Sequence, residues 1–127
     1  MTDVKIDSET ISVATQFIPE QSDKNDSRYV FSYTITISNN TNKAFQVLSR
    51  YWLITDGNGE TSTVEGDGIV GEQPHIIPGT SYTYTSGCLL KTPLGTMQGY
   101  YQVIDDNQMT SIVDIPVFQL ALPNIIH

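Results

Sequence analysis

The chain has 127 residues, 14 acidic side chains against 6 basic ones, and a formal net charge of −8. At 39% hydrophobic and 16% charged residues it is a globular chain rather than a disordered one, and its length suits one domain with a core of its own, spanning residues 1–127. The acidity and the scatter of Lys5, Lys24, Arg28, Lys43, Arg50 and Lys91 exclude the basic footprint that nucleic acid requires.

The opening residues "MTDVKIDSET" alternate, carry charge and lack the apolar segment of a signal peptide. No apolar run reaches the roughly 20 residues needed to cross a membrane, so membrane insertion is not expected. Cys88 is the single cysteine and forms no internal disulfide. These features together predict a cytoplasmic protein.

Further along, the dominant period is two. "ISVATQF" alternates Ile11, Val13, Thr15 and Phe17. "RYVFSYTITISN" puts Tyr29, Phe31, Tyr33, Ile35 and Ile37 on one face and Ser32, Thr34, Thr36 and Ser38 on the other, a half-buried strand. "AFQVLSRYWLIT" is apolar on both faces, with Phe45, Val47, Tyr51 and Leu53 opposite Leu48, Trp52 and Ile54. Such a strand is central, or has a partner on one face. "SYTYTS", "MQGYYQVI" and "TSIVDIPVFQL" follow.

Turn residues separate these runs at 22–27, 39–42, 56–59, 78–80 and 105–108, and the Asp56-Gly57 and Asn58-Gly59 pairs suit a tight hairpin. No stretch has helical periodicity. The spacing predicts an all-β, two-sheet antiparallel sandwich. Either Tyr100 or Tyr101 is placed to form a tyrosine corner, with its hydroxyl bonding back to the preceding loop.

"VEGDGIVGEQP" spells G-x-G-x-x-G with Gly66, Gly68 and Gly71. A phosphate-binding loop of that spelling needs a helix to open behind it, presenting free N–H groups. Here Pro74, Pro78 and Gly79 leave no room for a helix, and no acid follows until Asp105. Glu65, Asp67 and Glu72 also place negative charge in the loop. The glycines are expected to serve a wide connection through positive φ or close backbone approach, with Ile69 and Val70 pinning it to the core. The competing reading is an anion nest of backbone N–H groups.

Other chemistry is sparse. A Cys88–His75 nucleophile needs the two side chains in contact. His127 and His75 are the only histidines, which leaves no transition-metal set; Asp105 and Asp106, or Asp56 and Glu60, are at most weak Mg2+ or Ca2+ ligands. No cofactor is expected. "SRYWLI" places Arg50 among Tyr51 and Trp52, suited to stacking or to pairing with a carboxylate. Trp52 is expected in the core, yet Arg, Tyr and Trp also anchor interfaces. Residues 73–104 carry one formal charge, Lys91, so Tyr82 and Tyr84 are either buried or part of a contact surface. The candidate interface is therefore Arg50, Tyr51, Trp52, Tyr82 and Tyr84. An uncharged edge strand in that stretch predicts a homodimer or a partner strand.

Taken together, "FSYTITISN", "QVLSRYWLITDGNG", "VEGDGIVGEQP", "IPGTSYTYTSG", "KTPLGTMQGYYQ" and "IPVF" resemble the bacterial ApaG proteins over most of the chain. The resemblance implies an immunoglobulin or fibronectin type III-like sandwich and an association with cobalt resistance and magnesium efflux. Similar domains occur in a eukaryotic F-box protein and in a protein that interacts with DNA polymerase delta, where they mediate protein contacts. The resemblance also implies a pyrophosphate or nucleotide site at Gly66, Gly68 and Gly71, and brings no catalytic residues. A non-enzymatic module binding an unidentified protein is the expected function, with phosphate, pyrophosphate or nucleotide binding at the glycine loop as the alternative.

Overall fold

The structure, a computed structural model, describes residues 4–6 and 10–124; His127 lies outside them. The strands are β1 (Val4–Ile6), β2 (Ile11–Phe17), β3 (Tyr29–Ser38), β4 (Phe45–Asp56), β5 (Thr61–Asp67), β6 (His75–Ile76), β7 (Ser81–Leu90), β8 (Leu94–Asp105) and β9 (Thr110–Ala121). The larger sheet runs β1-β9-β8-β4-β5, with β6 also on β4; the smaller runs β2-β3-β7. Every pairing is antiparallel except β1 with β9. The expected two-sheet β-sandwich is what forms.

The alternation in β3 dictates its place. Phe31, Tyr33, Ile35 and Ile37 face inward and are buried, while Ser32, Thr34, Thr36 and Ser38 face out. Each such buried apolar side chain contributes about 1.5–3 kcal/mol over leaving it in water. From the other sheet Val47, Trp52, Met97, Tyr101, Val103 and Val113 close the core. Trp52 is 2% exposed, as expected, and meets Tyr33 of the opposite sheet edge-on at 5.4 Å.

Two bulges change which residues face inward. The β4–β8 register shifts between Val47 and Ser49. Phe45 and Val47 are buried before the shift, and Trp52 after it. Tyr51 and Leu53 therefore leave the face they were expected to share with Phe45 and Val47. An extra residue in a strand with period two flips everything beyond it. The β8–β9 register shifts near Pro116 and Val117, and the inward set passes from Val113 and Ile115 to Leu120. Pro116 fits there because a bulge releases its missing N–H from the ladder.

The turns behave as their residues require. Gly59 takes a φ of 88° in the β4–β5 hairpin, and its N–H donates to the Asp56 carbonyl at 2.9 Å. Asn39 is fully buried but satisfied: its Nδ2 donates to the carbonyls of Lys43 and Ile76, both at 2.8 Å, and its Oδ1 accepts from the Thr41 N–H and hydroxyl. This ties the β3–β4 turn to β6, where the chain crosses to β7.

Candidate functional site

The G-x-G-x-x-G segment is a hairpin tip, with no helix behind it. Residues 69–72 form a two-residue turn in which Ile69 N–H donates to the Glu72 carbonyl at 2.6 Å and Glu72 N–H returns to the Ile69 carbonyl at 2.9 Å. Val70 and Gly71 at its centre have φ of 47° and 81°, the backbone of a type I′ turn. Gly68, at φ 64°, approaches the Glu72 carbonyl so closely that a Cβ would lie inside contact distance of its oxygen. Gly66, the penultimate residue of β5, lies beneath the guanidinium of Arg50, whose Nη1, Nη2 and Cζ lie 2.9–3.1 Å from where a Cβ would stand.

Each glycine thus has a local reason to be there. Three N–H groups that an anion nest would use are engaged: that of Gly68 with the Leu48 carbonyl at 2.7 Å, and those of Ile69 and Glu72 with each other's carbonyls. Ile69 is buried and pins the loop as expected. Val70 does not, being 61% exposed: its place at the turn's tip directs it to solvent.

Arg50 sits on the inward-facing side of the sheet at the open flank beside β5. Its Nη1 donates to the carbonyls of Asp67 and Gly68 at 3.0 and 3.1 Å, so it clasps the loop by backbone oxygens where a carboxylate or a ring was expected. Trp52 and Tyr84 are core residues at 2% and 8% exposure, which corrects their place among interface anchors. Tyr82 lies on the inward side of β7 near the flank, and its hydroxyl donates to the Glu72 carboxylate at 2.8 Å. Desolvation first, then that carboxylate, raises its pKa. These five residues therefore do not make one patch.

Behind them is a sealed tyrosine cluster. The hydroxyls of Tyr84 and Tyr101 hydrogen-bond each other across the two sheets. Tyr101 is fully buried and bonds to Tyr84 where a tyrosine corner would bond back to a loop; Tyr100 points outward. Burial raises the pKa of Tyr33, Tyr84 and Tyr101 and keeps all three neutral. Cys88 is buried in β7, its thiol pushed up to about 11 mainly by desolvation. His75 is in β6 of the other sheet, exposed, with Nε2 3.8 Å from Asp106. The fold does not assemble the two as a nucleophile pair. Among the described residues, no three of His, Cys, Asp and Glu form a group able to hold a metal ion, and no helix is long and apolar enough to cross a membrane.

The outer face of the larger sheet holds what the sequence reading missed. The bulge in β4 turns Tyr51 and Leu53 outward, and Tyr51 stacks on its cross-strand neighbour Tyr100, ring centroids 5.2 Å apart and planes 23° apart. The pair forms a ridge between two open depressions. One, of about 400 Å³, is bordered by Ser49, Glu65, Asp67, Gln102 and Ile112. The other, of about 430 Å³, is bordered by Leu53, Gln98, Asp114, Pro116 and Val117. Tyr100 is 37% and Val117 58% exposed. Both bulges thus border this face, and bulges are over-represented where side chains are re-aimed for function. Tyr100 stood in the sequence beside Tyr101, but only the β4–β8 register pairs it with Tyr51.

A model of the ApaG domain matches residues 19–105, more than half of the chain. The chain belongs to the ApaG family. It is 53% identical over 117 residues to Protein ApaG of Citrobacter koseri, and likewise to Protein ApaG of Escherichia coli O1:K1, covering 92% of this chain and 94% of each relative. The crystal structure of a Bordetella pertussis protein given the name ApaA superposes with a TM-score of 0.89 at 46% identity, over 91% of this chain and 94% of that one. The matched ApaG segment contains the glycine loop, Arg50, Tyr51 and Tyr100 and stops at Asp105, before β9.

Proposed function

We propose that this chain is a single, non-enzymatic binding domain of the cytoplasm that recognises a protein partner through the outer face of its larger sheet. The observation that carries this reading is the exposed Tyr51–Tyr100 stack, which no layer of the described residues covers. Tyrosine is a preferred interface anchor because it buries a large rigid area at low entropic cost and keeps a polar tip. Leu53, Ile112 and Val117 extend the apolar area, while Glu65, Asp67 and Asp114 give it an acidic border. That is the arrangement of an apolar centre with a polar rim. The association with cobalt resistance and magnesium efflux implied by the ApaG resemblance is read as acting through that partner.

The rival is pyrophosphate or nucleotide held at Gly66, Gly68 and Gly71, with Arg50 as an adjacent positive charge. Affinity capture on the folded protein separates the two. The Tyr51→Ser/Tyr100→Ser variant is expected to lose the captured partner by about 2 kcal/mol or more, roughly 30-fold. The Gly71→Ala variant is expected to keep it. Retention of every captured protein by the double variant contradicts the proposal. So does saturable pyrophosphate binding by calorimetry that disappears in folded Gly71→Ala.

A further inference from the structure

A sandwich of two open sheets has four edges, and three of them here are blunted. β1 is three residues long. β5 carries Glu65 and Asp67. β2 packs beside β9 of the other sheet. Short strands, charges and covering elements are the usual devices against unwanted strand pairing. Among the described residues the fourth edge, β7, has none of them: Ser81–Leu90 is ten residues with no charge, no proline and no register shift against β3.

The direction of its backbone groups follows from its neighbours. Ile18 N–H donates to the Val30 carbonyl, so the even residues of β3 bond toward β2. Asn39 N–H donates to the Thr80 carbonyl, so the odd residues of β3 bond toward β7. The register Ile37↔Tyr82, Ile35↔Tyr84, Tyr33↔Ser86 then commits Tyr82, Tyr84 and Ser86 to β3. Ser81, Thr83, Thr85, Gly87 and Leu89 direct their N–H and C=O groups to the free edge. Among the described residues, no backbone hydrogen bond takes them up.

We infer that the β7 edge pairs antiparallel with β7 of a second copy of this chain, joining two three-stranded sheets into one. Charge selects that occupant. Two molecules of net charge −8 repel over most of their surface, and a self-pairing seam must be built where neither copy brings charge; β7 meets that condition and β5 does not. The side chains agree. Thr34 with Thr85, Thr36 with Thr83 and Ser38 with Ser81 already form hydroxyl–hydroxyl bonds of 2.8–3.0 Å across the β3–β7 seam. A two-fold β7–β7 seam sets Ser81, Thr83 and Thr85 against the same residue types, extending that ladder. This inference uses a surface on the opposite sheet from the tyrosine face, and neither depends on the other.

Sedimentation velocity over a concentration series tests it with the intact chain. Wild type is expected to pass from monomer to dimer. Thr85→Pro removes an outward N–H without removing a backbone bond to β3, losing only the hydroxyl contact with Thr34, and Thr83→Lys puts two like charges across the seam. Each is expected to weaken dimerisation at least about tenfold, with unchanged Trp52 fluorescence showing the fold intact. Thr63→Lys, on the β5 edge, is expected to leave it unchanged. A wild type that stays monomeric throughout, as it would if a foreign strand were the occupant, overturns the inference. So does a dimer that both β7 variants leave intact, or one that Thr63→Lys abolishes.

Discussion

Replacing Gly68 by Ala tests whether the glycine loop is architecture. The backbone there has φ 64°, and placing an L side chain in the left-handed region costs about 1–2 kcal/mol. A Cβ also enters contact distance of the Glu72 carbonyl oxygen. That oxygen accepts the Ile69 N–H at 2.6 Å, so moving it away weakens a bond worth about 1 kcal/mol net. The sum is about 2–3 kcal/mol, within the total of about 5–15 kcal/mol expected of a domain, so the variant still folds. Gly71→Ala is the control. Its φ is 81° but nothing lies within 4 Å of its Cβ, so it loses only the conformational part, about 1–2 kcal/mol. Urea unfolding reads both as midpoint shifts at constant slope. The reasoning is wrong if Gly68→Ala loses no more stability than Gly71→Ala.

Three other outcomes follow from the same geometry. Val70→Asn is expected to stabilise the protein by about 1 kcal/mol in thermal or urea unfolding, because Val70 is β-branched at φ 47°, exposed, and fills a turn position that favours Asn before Gly. Tyr101→Phe is expected to cost about 1–3 kcal/mol by leaving the buried Tyr84 hydroxyl without its partner, while the Tyr84→Phe/Tyr101→Phe pair costs less than the sum of the two single changes, as a double-mutant cycle measures. Stability is expected to hold below pH 10, the ordinary tyrosine value. Above it the unfolded chain ionises while Tyr33, Tyr84 and Tyr101 stay protonated in the fold, so the unfolded state binds fewer protons and stability falls. Urea midpoints measured between neutral and strongly alkaline pH check the sign.

Strand β3 was legible because its period of two runs unbroken from Tyr29 to Ser38. In β4 the apolar residues on both faces recorded two different inward sets joined by a bulge at Leu48, and sequence alone had no means of placing the extra residue. That one residue decides that Tyr51 faces solvent and Trp52 the core. In β9, Pro116 was a visible sign of a bulge within a strand-like run. The glycine loop was readable as a loop with no helix, but its tip is Val-Gly, not the Asn-Gly that announces a type I′ turn. Tyr100 entered the candidate face only through cross-strand register, a non-local quantity that no spacing along the chain contains.

Site-specific photo-crosslinking in living cells tests the central claim most directly. A photoreactive residue is placed at Tyr100, on the outward face, and separately at Val70, at the exposed tip of the glycine loop. The prediction is a discrete protein adduct from position 100 that Tyr51→Ser abolishes, and none from position 70. A protein adduct confined to position 70, with none from position 100, would contradict recognition by the tyrosine face.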